Sequence, residues 1–310
     1  MTIIDTATIE RLTGLDLYLA GQILGQGEVI AQITELLQRS FCGIRLPRRP
    51  MASMLFLGPT GVGKTETAEL LTDRLFESRE NLIRLDMSEY MTIDSIDILR
   101  GANMGEEGIL GRYYDQTKGA GVILFDEIEK GHRLILDLLL QILSAARFTT
   151  AAGRTLDLRD YVVIATSNIG SEMLMESRTR DRETLVRRTV QAAIQEMRPE
   201  IYARFDAVCA FNRLSDEVLE EIAKLHLERC LEIVGALGHD ITLSAGVLEY
   251  VLREGWSPEF GARPLQQAAL RALGSAIVPR LLEGEGSPVR GRIEYDRRKN
   301  RCELVNEITV

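Results

Sequence analysis

Short apolar runs rich in β-branched residues recur along the chain with helical patterns between them: Met54–Leu57, Leu82–Leu85, Val122–Phe125, Tyr161–Ala165 and Val208–Phe211. That alternation predicts an α/β fold, a parallel sheet flanked by helices. After Asn212 the spacing becomes helical alone, with Val218, Ile222 and Leu225 on one stripe and Val247, Leu248, Val251 and Leu252 on another. From Pro288 onward, Val289, Arg290, Gly291, Arg292, Ile293, Glu294 and Tyr295 alternate weakly and predict a short strand or hairpin. The chain therefore reads as a lead-in over residues 1–20, a large domain over 21–212 and a small, mainly helical domain over 213–310. No internal repeat or low-complexity segment interrupts it.

Three of the predicted strands end in residues that carry chemistry. Met54–Leu57 runs into Gly58, Pro59, Thr60, Gly61, Val62, Gly63, Lys64 and Thr65, which match G-x-x-x-x-G-K-[ST], and a helix-favouring stretch follows from Glu66. In such a loop successive backbone N–H groups face a phosphate, and the helix N-terminus adds partial positive charge. Lys64 would neutralise β- and γ-phosphate oxygens of ATP, and the Thr65 hydroxyl would ligate Mg²⁺. The run from Val122 ends in Asp126 and Glu127, two carboxylates at the edge where open α/β sheets bind ligands. Asp126 suits the Mg²⁺ shell, and Glu127 suits the orientation and deprotonation of an attacking water. The run from Tyr161 ends at Asn168, whose amide both donates and accepts, as a sensor of phosphate state must.

Composition narrows the class. With 45% hydrophobic residues over 310 positions, the chain can bury a large core. A formal charge of −9 disfavours nucleic acid as a partner. The basic runs Arg45/Arg48/Arg49 and Arg178/Arg180/Arg182/Arg187/Arg188 read as solvated surface. Four scattered cysteines and three histidines offer neither a disulfide framework nor a metal cluster. No apolar run is long enough to span a membrane and no leader is visible at Met1, so a cytoplasmic protein without membrane insertion is expected.

The ordered strings Leu57–Glu66, Leu85–Tyr90, Ile123–Lys130 and Ala165–Ser171 resemble the P-loop AAA+ module of the Clp family, in particular the second ATPase module of its ClpA/ClpB type. The resemblance extends from about Ile9 to Leu282. It implies that Ile23 and Leu24 contact adenine. It also implies that Arg204, in Arg198-Pro-Glu-Ile-Tyr-Ala-Arg204, reaches the γ-phosphate held by a neighbouring subunit, and that Arg263, in Gly261-Ala-Arg263-Pro-Leu, senses nucleotide in its own. A finger acting across an interface implies a ring, a homo-hexamer in this family.

One departure bears on mechanism. Between Gly101-Ala102 and Glu106-Glu107-Gly108 the family's substrate-gripping loop is several residues short and lacks its aromatic, which leaves Met104 as the apolar tip. A second pore-facing stretch, Leu143–Arg154, lacks the family's acidic residues. No first ATPase ring, middle domain or folded N-terminal domain is recognisable in these 310 residues, so a stand-alone single ring is expected. The function expected is ATP-driven remodelling or unfolding of protein substrates. The alternative is an ATP-driven assembly switch or scaffold that threads nothing and acts on a dedicated protein partner.

Overall fold

A computed structural model describes residues 5–103, 105–176, 182–257, 260–283 and 287–305. The chain divides into two units, residues 1–59 with 63–213, and residues 60–62 with 214–310.

In the first unit, α1 (Thr6–Thr13), α2 (Leu15–Ala20) and α3 (Gly27–Phe41) precede β1 (Ala52–Leu57) and α4 (Lys64–Phe76). Next come β2 (Leu82–Asp86), α5 (Ser95–Arg100), α6 (Gly108–Gln116), β3 (Gly121–Asp126) and α7 (Arg133–Ala145). The hairpin β4 (Arg147–Thr149) and β5 (Thr155–Asp157) leads to β6 (Tyr161–Ser167). Helices α8 (Ser171–Glu176), α9 (Arg182–Glu196) and α10 (Pro199–Tyr202) then precede β7 (Ala207–Ala210).

All five predicted strands form one sheet in the order β2-β3-β6-β1-β7, and every pairing is parallel. Every residue of β1, β3 and β6 is buried, which is why their sequences read as unbroken apolar runs. Alternate side chains serve opposite faces. Leu55, Leu57, Ile123 and Phe125 share a core with Ile135, Leu139 and Ile142 of α7. Phe56, on the other face, meets Phe211 with ring centroids 5.1 Å apart, and α3 and α4 pack against the sheet. Because β3, β6 and β1 are neighbours, the residues after their carboxyl ends (Glu127, Asn168 and Gly58) emerge side by side at one edge.

The second unit holds α11 (Asp216–Ala236), β8 (Asp240–Leu243), α12 (Ala245–Gly255), α13 (Arg263–Glu283), β9 (Arg290–Asp296) and β10 (Arg301–Val305). The alternating tail forms an antiparallel hairpin of β9 and β10, and β8 joins β9 in parallel. The strand β8 carries no sequence signal of its own, because four residues between two helices make too short an alternating pattern. The buried stripe of α11 is Leu219, Ala223, Leu227 and Cys230, and the expected Val218, Ile222 and Leu225 are half-buried beside it. Rotation of the stripe by one residue follows from packing on two sides, against α13 and against α12 with β8.

His226 lies half-buried on α11. Burial, with the Arg229 guanidinium adding to it, pushes its imidazole down from 6.5 to about 4. The folded state thus binds this proton less readily than the unfolded chain. Its contribution to stability is complete above pH 6.5 and is lost as pH falls toward about 4. His226→Gln is expected to flatten the fall in urea midpoint across that window. An unchanged acid limb would remove His226 from the account.

Candidate functional site

The loop after β1 owes its path to glycine. Gly58 has φ +146°, and a Cβ there would lie 2.8 Å from the carbonyl oxygen of Phe211. Gly63, with φ +101°, passes so close to Ile23 that a Cβ would meet that side chain at 3.4 Å. Helix α4 then starts directly at Lys64. Ile23 is buried beside Gly63 of the phosphate loop, and Leu24, next to it, is half-buried. Gln26, fully buried, fixes this segment. Its amide nitrogen donates to the Asn212 carbonyl at 3.0 Å, and its amide oxygen accepts the Asn212 N–H at 2.8 Å.

The Lys64 ammonium is buried and donates to the carbonyls of Gly58 at 2.5 Å and Pro59 at 2.7 Å, and to Asn168 Oδ1 at 2.9 Å. Asn168 in turn donates through Nδ2 to Glu127 Oε1 at 3.1 Å. One hydrogen-bonded chain thus joins the ends of β1, β6 and β3. The Thr65 hydroxyl lies 3.2 and 3.4 Å from the two oxygens of Asp126. Glu127 adopts φ +57°, rare for a residue with a Cβ, and its N–H donates to Thr166 Oγ1 at 2.9 Å. Lys130 pairs with the other Glu127 oxygen at 2.5 Å, and that carboxylate raises the Lys130 ammonium above its ordinary value.

A family model for the AAA domain (Cdc48 subfamily) matches residues 49–208, and one for the C-terminal D2-small domain of ClpB protein matches residues 214–294. The chain belongs to the AAA family. It is a Clp-type AAA+ module of the second-module kind, and as such it binds nucleotide. Chaperone protein ClpB 1 of Synechococcus elongatus is 35% identical over 93% of this chain and 34% of its own length. Chaperone protein ClpB of Leptolyngbya boryana is 40% identical over 88% and 32% respectively. The ClpA homolog of Porphyra purpurea, an ATP-binding subunit of an ATP-dependent Clp protease, is 37% identical over 89% and 36%. Hsp104 in a closed state with ATPγS and FITC casein superposes with TM-score 0.85 at 28% identity, over 97% of this chain and 52% of the Hsp104 chain. The chain thus spans about a third of the curated relatives it matches.

Arg204 stands exposed after α10, and its guanidinium has no hydrogen bond or ion pair among the described residues. Arg263 is the first residue of α13, in the second unit. The structure thus brings Gly58, Gly63, Lys64, Thr65, Asp126, Glu127, Asn168 and Ile23 together. Arg204 makes no hydrogen bond or ion pair with any of them among the described residues.

Met104 lies outside the described residues. The described residues on either side of it are linked to each other. Glu106 accepts from the Ala102 N–H at 3.0 Å and from Asn103 Nδ2 at 3.1 Å, and its own N–H donates to the Asn103 carbonyl at 3.1 Å. The stretch Leu143–Arg154 runs from the end of α7 through β4 into the turn before β5, and the Ala151 N–H ties that turn to the Arg100 carbonyl at 2.8 Å. Arg154 grips Asp115 of α6 through two hydrogen bonds, at 2.9 and 2.6 Å. The two loops of this AAA module are therefore braced against each other.

Several supporting residues escape a motif-based reading. Arg84 of β2 donates to Asp126 at 2.7 Å, and Thr166 of β6 donates to it at 2.6 Å. Glu129 accepts the Asn168 N–H at 3.0 Å. A lone arginine inside the apolar run Leu82–Leu85 is the signal that could have exposed Arg84; Thr166 has none. Thr166→Val leaves the Glu127 N–H and an Asp126 oxygen short of a partner at a buried position, so a loss of about 1–3 kcal/mol in unfolding free energy is expected. Thr166→Ser should lose little. Equal urea midpoints for wild type and Thr166→Val would contradict this role.

Proposed function

We propose that this chain is an ATP-hydrolysing, ring-forming AAA+ module that remodels or unfolds protein substrates in the manner of a Clp chaperone. The observation that supports the reading is the hydrogen-bonded chain Lys64–Asn168–Glu127, an ammonium, an amide and a carboxylate joined at the adjoining ends of three strands. Residues Gly58 to Thr65 cradle the phosphates, with backbone N–H groups and the α4 N-terminus turned to them. Lys64 exchanges the loop carbonyls for β- and γ-phosphate oxygens. Asn168, held by Glu129 through its backbone, reports the γ-phosphate. Glu127 orients the attacking water and takes its proton.

Thr65 and Asp126 supply the donor set of a hard cation, a hydroxyl and a carboxylate converging to 3.2 Å, and Mg²⁺ fits there. When bound, Mg²⁺ neutralises charge on the phosphates. Ile23 and Leu24 pack on adenine, and Arg263 reads nucleotide in its own subunit. The exposed, unpaired Arg204 serves the γ-phosphate of the neighbour, so the active form is a homo-hexamer. Residues 21–212 act as the nucleotide-binding large domain and 213–310 as the small domain, with Met104 the apolar contact in the pore. The working setting is the cytoplasm; among the described residues no helix is long and apolar enough to cross a membrane.

The chaperone names of the relatives, and the Hsp104 structure with casein, support a polypeptide substrate over the assembly switch suggested by the short loop. ATPase activity stimulated by an unfolded protein is the test. A response absent with casein, together with ATP-dependent self-association, would overturn the remodelling reading.

The site assignments are separable by substitution. Lys64→Ala is expected to abolish nucleotide binding, read by a fluorescent ATP analogue, and Glu127→Gln to bind ATP while turnover drops by about a hundredfold or more. Arg204→Ala should bind ATP without turning it over, and mixing it with Lys64→Ala should restore part of the activity. Normal turnover in Glu127→Gln, or no rescue in the mixture, would remove those roles.

A further inference from the structure

The basic run Arg45/Arg48/Arg49 has the composition of solvated surface, yet the Arg49 side chain is only 17% exposed. Its Nη1 donates to the backbone carbonyl of Arg204 at 3.2 Å and lies 3.6 Å from Asp206 Oδ1. Two residues beyond Arg204, Asp206 is fastened to β1. Its Oδ2 accepts from the Ser53 N–H at 2.8 Å and from the Ser53 hydroxyl at 2.7 Å. The Asp206 N–H donates back to the Ser53 carbonyl at 2.9 Å and lies 3.1 Å from Ser53 Oγ. The Ser53 hydroxyl also lies 3.4 Å from the Arg204 carbonyl. Ser53 itself is buried, the second residue of a strand buried throughout.

A polar residue in such a strand is out of pattern, and an exposed loop needs no such anchorage for stability alone. We propose that Arg49, Ser53 and Asp206 form a lock whose work is to position Arg204. The lock holds the Arg204 carbonyl and the backbone two residues beyond it, and leaves the guanidinium unpaired and exposed. Ordering the backbone in advance lowers the entropy lost when the guanidinium meets a phosphate, and fixes its reach to within the small error that phosphoryl transfer tolerates. The three residues touch no nucleotide. They are positioning residues acting through Arg204, and the inference rests on Arg204 being the finger supplied to a neighbour.

Complementation in mixed rings tests it. Asp206→Ala and Arg49→Gln are each made in the full chain, and kcat and KM for ATP are measured alone and after mixing with Lys64→Ala or with Arg204→Ala subunits. Both variants are expected to lose about ten- to a hundredfold in kcat, with KM for ATP and fluorescent-nucleotide affinity within about twofold of wild type. Mixing with Lys64→Ala, which carries an intact finger, should restore turnover. Mixing with Arg204→Ala should not, since both partners then lack a working finger.

The opposite pattern, rescue by Arg204→Ala and none by Lys64→Ala, would put the defect in the variant's own phosphate loop and overturn the lock. So would full turnover in both variants, or a rise in KM equal to the loss in kcat. Arg49→Gln leaves the buried Ser53–Asp206 bonds in place, so it still decides the matter if Asp206→Ala fails to fold. Asp206→Asn, which keeps one acceptor, should recover part of the rate. If Arg204→Ala keeps normal turnover, or is not rescued by Lys64→Ala, the finger reading itself has failed, a result separate from failure of the lock.

Discussion

A carboxylate buried at the end of a buried strand is the constraint on which this site depends. Asp126 has a side chain only 8% exposed, and removing such a charge from water costs several kcal/mol unless hydrogen bonds replace the lost solvent. The replacements come from different elements: Arg84 from β2, Thr166 from β6 and Thr65 from α4. None is near Asp126 in sequence. The charge is thus tolerable only when β3 lies between β2 and β6 in the observed register, with Phe125 opposite Ala165 and Asp86 opposite Asp126. Slippage of either pairing by one residue would turn the partner side chains to the other face of the sheet.

The same register aligns the rest of the chemistry. Asn168 can bridge Lys64 and Glu127 because β6 runs between β1 and β3 and ends level with them. Thr166 has two tasks, donating to Asp126 and accepting the N–H of Glu127, whose left-handed backbone turns the chain off the sheet at that residue. A short hydroxyl therefore couples the Asp126 carboxylate to the backbone of Glu127. Gln26 performs the matching service on the far side, where its primary amide closes a two-way bond with the Asn212 backbone and keeps Ile23 against Gly63.

Most of the large sheet was legible because its strands are buried on both faces and spell that out as continuous apolar runs, and the phosphate loop was legible because its residues are contiguous. What escaped is what depends on distance along the chain. Arg84, Thr166 and Gln26 earn their roles from partners 40 or more positions away, 42, 40 and 186 respectively. Arg49 was read as surface because a guanidinium in a basic run gives no local sign that its partners, the Arg204 carbonyl and Asp206, lie across the fold. In the second unit the stripe of α11 was misplaced by one position, since a helix packed on two sides has a wide apolar arc whose centre periodicity alone cannot locate.

The strand β1 ties these observations into one mechanical element. Its last residue, Leu57, delivers the chain to Gly58 and accepts the Phe211 N–H at 2.7 Å, while its second residue, Ser53, holds Asp206. Both bonds run to the segment that carries Arg204 and β7, so the outer strand β7 is stapled to β1 along its whole length, from Met54 opposite Ala207 to Leu57 opposite Ala210. A strand buried on both faces resists bending, because any displacement must open voids in a close-packed interior. The backbone of Arg204 and the loop that leads to Lys64 are consequently held at opposite ends of a single stiff rod. Independent movement of the two would require breaking the Ser53–Asp206 bonds, which are the only polar contacts of Ser53 with side chains among the described residues.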